Sequence, residues 1–213
     1  MGELIVLSER LADRSRPAAG GRAAFFFDVG CPFSYLAAER VERILGDVTW
    51  IPTDSTELGG LKWAQSSQIR REAERRAVEL RLPLVWPDSF PASAPSALRA
   101  AAYAAEIGVG AQFALAASRL AFCGGFDLGE PEILAEAAAA AGIPLDEILA
   151  AAGDPRRDGP LHATARGLVA RGVRELPAFR VERRLLGGER ALAGAAAAMR
   201  AQAPVDGGLA PAG

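Results

Sequence analysis

The sequence has little cysteine, a single histidine and almost no lysine. Its two cysteines, Cys31 and Cys123, are too few for a disulfide framework in a chain of 213 residues. One histidine, His162, and no Cys-x-x-Cys pair exclude the usual protein-built zinc sites, which need three or four such ligands. The composition therefore predicts a protein without a metal centre.

The chain also lacks an excess of positive charge and long apolar runs. With a formal net charge of -2 and a pI of about 5.6, neither nucleic acid nor a membrane surface is an expected partner. No apolar stretch approaches the roughly 18 to 20 residues that span a bilayer. Leu4–Leu7 is too short for a secretory signal, and acidic residues bracket it. We expect a cytoplasmic protein.

A strand, a helix and a second strand are predicted within residues 23–52. Ala23–Val29 is a largely continuous apolar run, which is typical of a strand buried on both faces of a sheet. From Pro32 onward apolar residues recur at helical spacing, and Gly46 stands where a C-cap glycine belongs. Val48–Pro52 predicts the second strand, so the unit is a βαβ motif with parallel strands.

The middle of the chain is predicted to be helical, and its end returns to strands. A hairpin of Ala178–Val181 and Arg184–Leu186 precedes a helix from Glu189 to about Arg200. Because neither the first unit nor the hairpin can bury its faces alone, we predict one α/β sheet domain interrupted by helices. The predicted helices between them are Ser66–Arg81, Pro95–Ile107, Ala111–Phe122, Pro131–Ala141, Asp146–Ala152 and Leu161–Arg171. The predicted parts are a flexible arm at 1–22, the sheet domain at 23–60 and 160–200, a helical insertion domain at 61–159 and a disordered tail at 201–213.

Cys31 is the main candidate for a functional residue. It follows a buried parallel strand, at the edge where open α/β sheets bind ligands. It also begins a helix, whose free N–H groups favour a thiolate. Pro32 suits the first helical turn, and Ser34 is placed to donate a hydrogen bond to the sulfur. The alternative is a buried structural cysteine.

Three further residues have open interpretations. Cys123 ends an apolar helix and is expected to pack in the core or to act as a resolving partner for Cys31. Pro177 stands at the first position of a strand, where it is either an edge marker or a cis proline. His162, near the start of a helix, is expected to be exposed to solvent or to cap that helix.

The segment around Cys31 resembles a known superfamily. Phe25-Phe26-Phe27-Asp28-x-Gly-Cys31-Pro32-Phe33-Ser34-Tyr35-Leu36 is similar to the strand-to-helix signature of DsbA-like thioredoxin-fold proteins. It is most similar to the branch of 2-hydroxychromene-2-carboxylate isomerase and kappa-class glutathione transferase. Further segments resemble the same branch in order, namely Arg81–Asp88, Phe122–Leu134, Val173–Val181 and Gly187–Arg190. The resemblance implies a thioredoxin-like fold (βαβ…αββα) interrupted by a large all-helical insertion.

The same resemblance implies roles for individual residues. It implies that Pro177 is a cis proline and that the backbone of Leu176 faces Cys31, where it pairs with a thiol-bearing peptide such as glutathione. The residues expected to bind substrate or glutathione are Pro32, Phe33, Leu176, Pro177, Gly188 and Glu189. This chain departs from the pattern at five places: Cys31 replaces a serine of the branch, Ser34 replaces the second cysteine of dithiol oxidoreductases, Gly188 lacks a hydroxyl, and Glu189 replaces an aspartate. The fifth is Thr53–Thr56, which stands where the branch has an asparagine soon after the second strand.

Three functions are consistent with these residues. In the first, Cys31 of a monothiol Cys-Pro-Phe-Ser site forms mixed disulfides that an external thiol or Cys123 resolves. In the second, the protein is a glutathione-dependent isomerase or transferase in which Cys31 stands in for the serine. In the third, a non-catalytic module binds a thiol or an aromatic ligand. The expected partner is a small-molecule or thiol substrate, and the resemblance allows a homodimer.

Overall fold

The structure, a computed structural model, describes residues 23–59, 66–90 and 94–201. The predicted arm at 1–22 and all but the first residue of the predicted tail lie outside the described residues. Within those ranges no helix is both long and apolar enough to cross a bilayer.

A four-stranded mixed sheet in the order β2-β1-β3-β4 forms the centre of the fold. Its strands are β1 Ala23–Phe27, β2 Thr49–Pro52, β3 Ala178–Val181 and β4 Arg184–Gly187. β1 is parallel to β2 and antiparallel to β3, and β3 forms the predicted hairpin with β4. β1 ends earlier than the predicted Val29, because the backbone turns at Asp28, whose carbonyl oxygen accepts the N–H of Cys31 at 3.0 Å.

The predicted helices are present, with corrected ends. In the described ranges they are α1 Pro32–Leu45, α2 Ser66–Leu80, α3 Pro95–Glu106, α4 Gly110–Phe122, α5 Pro131–Ala141, α6 Leu145–Ala152, α7 Asp158–Ala170 and α8 Ala191–Arg200. Short 3-10 helices cover Ser55–Leu58 and Pro155–Arg157. α7 begins at Asp158, before the predicted Leu161. Pro160 fits its first turn, because the backbone N–H that proline lacks would have no helical partner there. α8 begins two residues after the predicted Glu189, because the N–H groups of Ala191 and Leu192 bond back three residues, to Gly188 and Glu189, in a turn tighter than an α-helix.

The two faces of β1 belong to different hydrophobic clusters. Phe25 and Phe27 point into the larger cluster, which includes side chains of α1 and of the helical insertion. Ala24 and Phe26 point into the smaller cluster on the opposite face. The other buried members of the smaller cluster are Cys31, Leu168, Val173, Leu176 and Ala178. Cys31 therefore lies in the layer between the sheet and α7.

The helices between the two halves of the sheet domain pack mainly on one another and on α1. α3 contacts α4 and α6, α5 packs between α4 and α6, and α4 also packs against α1. Tyr35 on α1 stacks on Phe122 at the end of α4, with ring centroids 5.7 Å apart. The structure thus shows the α/β thioredoxin-like fold with a helical insertion, and the boundaries at 61 and 159 stay a prediction.

Candidate active site

Cys31 lies at the carboxyl end of β1 and is the N-cap residue of α1. Its φ of -97° and ψ of 118° are extended, and Pro32 is the first helical residue. The residue is buried, with 3% of its surface exposed. Its thiol donates a hydrogen bond to the carbonyl oxygen of Leu176 at 3.9 Å. The strand-to-helix turn and the segment before β3 therefore meet at this sulfur.

The surroundings of Cys31 stabilise the thiol over the thiolate. Burial in the first place, and the negative charge of Asp28 in the second, raise the pKa of Cys31 to about 11. Hydrogen bonds from the backbone of Ser34 and Phe33 and from the Ser34 hydroxyl act in the opposite direction. The start of α1 thus favours the thiolate, as the sequence predicts, but the cost of desolvating a charged sulfur is larger. The net effect is the reverse of the one predicted.

Ser34 links the sulfur to the end of β1. The residue is buried, and its Oγ accepts the N–H of Asp28 at 3.3 Å. Because that oxygen is an acceptor for Asp28, its own hydrogen is available to the sulfur, consistent with its lowering of the Cys31 pKa. Ser34 therefore fixes the turn and can stabilise an anion on Cys31.

Asp28 is a site residue that the sequence analysis did not single out. Its buried carboxylate accepts the N–H of Gly30 at 2.9 Å and the N–H of Ser55 at 3.1 Å. Burial raises the pKa of Asp28, while the Ser55 hydroxyl and these two N–H groups lower it. The sequence did offer a signal for Asp28, namely an acidic residue directly after an apolar strand. A carboxylate buried at that position requires hydrogen-bond donors from elsewhere in the fold.

The Leu176–Pro177 peptide bond is cis, and it places the Leu176 carbonyl against the Cys31 thiol. The carbonyl oxygen of Pro177 accepts the N–H of Gly188 at 2.8 Å. The hydrogen bond joins the start of β3 to the turn after β4. Backbone groups of two separate segments are thereby fixed beside the cysteine.

A cavity of about 320 Å³ opens next to this cluster. Phe33 and Leu176 form part of its wall, and both also pack in the smaller hydrophobic cluster that contains Cys31. The remaining lining residues are Gln68, Ile69, Glu72 and Arg76 of α2, Glu175, Gly187, Gly188, Glu189 and Arg190. Four predicted binding residues therefore line one cavity, whereas Pro32 and Pro177 are not among its lining residues. The volume is in the range of small-molecule sites.

Glu189 is buried and forms ion pairs with two arginines. Arg40 of α1 bonds one carboxylate oxygen, and Nε of Arg76 lies 2.5 Å from the other. Burial lowers the pKa of Arg40, and the charge of Glu189 opposes that shift. The bridge joins α1, α2 and the turn before α8. Sequence reasoning placed Glu189 in the site but missed both arginines.

Gly188 lies close to Glu175, the acidic residue two positions before Pro177. A Cβ atom added at Gly188 would lie 2.5 Å from Oε1 of Glu175. That carboxylate can move aside, so it is the φ of 91° that explains why glycine stands here instead of the hydroxyl-bearing residue of the resembling branch.

Cys123 does not belong to the cluster around Cys31. It is half-buried at the end of α4 and packs against the larger hydrophobic cluster, on the opposite face of the sheet. Its sulfur lies 3.2 Å from the hydroxyl of Tyr35, which donates its proton to the carbonyl oxygen of Pro83 at 2.8 Å. Both cysteines are free thiols.

His162 is partly exposed and pairs with acidic residues rather than capping α7. Its Nε2 lies 3.1 Å from a carboxylate oxygen of Asp54, and its Nδ1 lies 3.9 Å from Glu57. Within the described ranges, no three histidine, cysteine or acidic side chains are grouped so that they could hold a metal ion.

Comparison with solved structures supports the fold. The structure of a 2-hydroxychromene-2-carboxylate isomerase superposes with a TM-score of 0.66 at 15% identity, over 84% of this chain and 94% of that one. The cytosolic disulfide reductase DsbM from Pseudomonas aeruginosa superposes with a TM-score of 0.62 at 21% identity, over 84% of this chain and 97% of that one. No curated protein matches the chain.

A family model supplies the assignment that these distant structures cannot. The model of the DSBA-like thioredoxin domain matches residues 23–200. That match includes both halves of the sheet, the helical insertion and every described residue of the site. The chain belongs to the DSBA-like thioredoxin domain family.

Proposed function

We propose that the protein is a monothiol disulfide oxidoreductase in which Cys31 is the nucleophile. The observation that carries the proposal is the position of Cys31 at the start of α1, with its thiol on the carbonyl of Leu176, a residue that lines a cavity of about 320 Å³. A thiol held between a helix N-terminus and a residue of the cavity wall is placed to exchange with a sulfur that enters the cavity. Membership of the family and the likeness to a disulfide reductase support it.

The proposed reaction is a thiol–disulfide exchange. Cys31 loses its proton, and its sulfur attacks one sulfur of a substrate disulfide R–S–S–R′, which forms Cys31–S–S–R. The S–S bond of the substrate breaks, and R′–S⁻ leaves and takes up a proton. A low-molecular-weight thiol then attacks the mixed disulfide at the R sulfur, and Cys31 leaves as a thiolate that is reprotonated. The substrate disulfide is converted into a new disulfide and a free thiol.

An external thiol is proposed for the second step because the chain offers no resolving thiol at the site. Ser34 occupies the position of a second cysteine, and its hydroxyl cannot form a disulfide. Cys123 packs against the hydrophobic cluster on the opposite face of the sheet. A cytoplasmic location, where such thiols are abundant, agrees with the chemistry and with the compartment of DsbM.

The proposal predicts a trapped intermediate. Incubation with bis(2-hydroxyethyl) disulfide is expected to add one mercaptoethanol adduct to Cys31, and glutathione added afterwards should remove it. Because the pKa of Cys31 is about 11, the rate of adduct formation should rise about tenfold per pH unit between pH 7 and 10. Mass spectrometry of the Cys31 peptide measures both steps. Labelling confined to Cys123, or a rate independent of pH, would contradict the mechanism.

A glutathione-dependent isomerase or transferase is the second candidate, because the cavity carries charges of both signs. Arg76 and Arg190 line it together with Glu72 and Glu175, which suits a zwitterionic peptide. The backbone of Leu176 would pair with the cysteinyl part of glutathione. Glu189 fits less well, because Arg40 and Arg76 already occupy both of its carboxylate oxygens.

Calorimetry tests the second candidate. Glutathione at millimolar concentration is expected to bind the wild-type protein, and Arg190→Ala should weaken that binding by about fivefold at most, since Arg190 is exposed. Turnover of 2-hydroxychromene-2-carboxylate in the presence of glutathione would then favour an isomerase. Absence of any binding heat would remove this candidate and leave the exchange reaction untouched.

A further inference from the structure

We propose that Glu175 is a specificity-determining residue of the cavity beside Cys31, where it selects disulfides that carry an ammonium group two carbons from the reacting sulfur. The inference deepens the proposed function and rests on the exchange reaction at Cys31. It gives that reaction a substrate class, the disulfides of small aminothiols.

Glu175 directly precedes the residue whose carbonyl contacts the thiol. Leu176 accepts the hydrogen bond of the Cys31 thiol at 3.9 Å, and Glu175 and Leu176 both line the cavity of about 320 Å³. A substrate sulfur bonded to Cys31 lies beside Leu176. The first carbons attached to that sulfur are therefore within reach of the neighbouring Glu175 side chain.

The Glu175 side chain lies against the turn after β4. A Cβ atom at Gly188 would lie 2.5 Å from Oε1 of Glu175 and 3.4 Å from its Cδ, so the absence of a side chain at Gly188 leaves the space that the carboxylate occupies. The N–H of Gly188 donates to the carbonyl oxygen of Pro177 at 2.8 Å. The carboxylate thus lies next to the backbone that is bonded to the cis-proline segment, on the wall of the cavity.

The charge of Glu175 is open to a ligand. The residue is exposed, and its carboxylate has no hydrogen-bond or ion-pair partner among the residues that the structure describes. The other two carboxylates that line the cavity are already paired, since Glu189 forms its bridge with two arginines and Glu72 pairs with Arg75 at 3.3 Å. A cation that enters the cavity therefore finds its free counter-charge at Glu175.

The free positive charge of the cavity belongs to another segment. Arg190, the N-cap residue of α8, is exposed and has no hydrogen-bond or ion-pair partner within the same described ranges. It is connected to the cis-proline segment through Gly188 and Glu189, whereas Glu175 is bonded directly to Leu176. An ammonium group close to the reacting sulfur therefore matches Glu175, and a carboxylate at that place would be repelled by it.

Bis(2-aminoethyl) disulfide is the simplest substrate of this class. Cys31 loses its proton, and its sulfur attacks one sulfur of the substrate, which forms Cys31–S–S–CH₂CH₂NH₃⁺. The S–S bond of the substrate breaks, and 2-aminoethanethiolate leaves and takes up a proton. Cys31 is oxidised to the mixed disulfide, and one half of the substrate is reduced to the thiol. The ammonium group that stays on Cys31 is the one that Glu175 attracts.

The experiment compares three disulfides of similar length and different charge. Bis(2-aminoethyl), bis(2-hydroxyethyl) and bis(2-carboxyethyl) disulfide are each reacted with the protein at about pH 7.5, and the adduct on the Cys31 peptide is quantified by mass spectrometry. Each rate is divided by the rate of the same disulfide with 2-mercaptoethanol, which removes differences in intrinsic reactivity. The wild-type protein is expected to prefer the aminoethyl over the carboxyethyl compound.

Glu175→Gln should lower the ratio of the aminoethyl to the carboxyethyl rate about tenfold. A unit charge several ångströms away in water changes each rate about threefold, in opposite directions for the two compounds. Glu175→Asp keeps the charge and should keep the preference. In about 1 M salt the wild-type ratio should fall toward that of Glu175→Gln, because the Debye length shrinks from about 10 Å at 0.1 M to about 3 Å.

Glu72→Gln is the matched control, because it removes a carboxylate from the wall that α2 forms, where Arg75 already pairs with it. Its ratio should change about twofold at most. An equal fall in Glu72→Gln, or a wild-type preference for the carboxyethyl compound, would overturn the assignment to Glu175. Adducts with a ratio that Glu175→Gln leaves unchanged would overturn the inference alone. No adduct on Cys31 with any of the three would overturn the proposed function and the inference with it.

Discussion

Replacement of Cys31 by serine is expected to reduce disulfide exchange at least about a thousandfold, because a hydroxyl cannot form the mixed disulfide. The substitution is close to isosteric in a site that is 3% exposed, so the folded structure should persist. Reduction of bis(2-hydroxyethyl) disulfide, coupled to consumption of glutathione, measures the loss. Equal thermal unfolding of the two proteins would show that the loss is chemical.

Cys123→Ser is the matched control, since it removes the other thiol of the chain. Its exchange rate should remain within about twofold of wild type, because Cys123 packs in a different cluster from Cys31. A Cys31→Ser protein with unchanged exchange would disprove the proposed function and favour a binding module. A large loss in Cys123→Ser would instead identify Cys123 as the resolving thiol.

Replacement of Glu189 by alanine is expected to lower the free energy of unfolding by about 3 to 5 kcal/mol. The substitution leaves the guanidinium of Arg40, whose side chain is 12% exposed, without its carboxylate partner. It also detaches Arg76 of α2 from the turn before α8. Chemical denaturation monitored by tryptophan fluorescence gives the difference directly.

Glu79→Ala provides the comparison for this value. Glu79 pairs with the same Arg76 at 2.8 Å, but its side chain is 39% exposed. Its loss should therefore cost far less than the loss of Glu189, because water screens this pair. Equal costs for the two substitutions would show that the buried bridge at Glu189 contributes no more than a surface pair. A double variant, Arg40→Met with Glu189→Leu, should recover most of the lost stability, because the buried charge of Arg40 is gone and Arg76 keeps its pair with Glu79.

The elements of this fold could be predicted wherever local signals agree. The apolar run before Asp28, Pro32 at the first helical position and Gly46 at the helix end fixed the βαβ unit almost to the residue. The errors fall where a local turn overrides the periodicity, as the turn through Gly188 and Glu189 does at the start of α8. In each case backbone conformation, rather than hydrophobic pattern, decides the boundary.

The site was less accessible to prediction, because its electrostatics depend on distant segments. The effect of a helix N-terminus on Cys31 is local and can be inferred from the sequence. The burial that outweighs it comes from Leu168 and Leu176, far along the chain. The same holds for Asp28, whose donor Ser55 follows another strand, and for Glu189, whose arginines lie on α1 and α2. Residue identity predicted which side chains meet at the candidate site, and long-range packing determines the direction of their pKa shifts.

The burial of Cys31 also determines how readily oxidants react with its sulfur. Peroxides convert a thiolate to sulfenic acid and then to irreversible sulfinic acid, and susceptibility follows thiolate character and exposure. With a pKa of about 11, only about one Cys31 in ten thousand is a thiolate at pH 7. In the proposed exchange reaction, the same desolvation that slows the nucleophile would thus shield it from overoxidation. A sulfur kept as a thiol between rounds of that reaction would remain usable through an oxidative burst that inactivates an enzyme with an exposed thiolate.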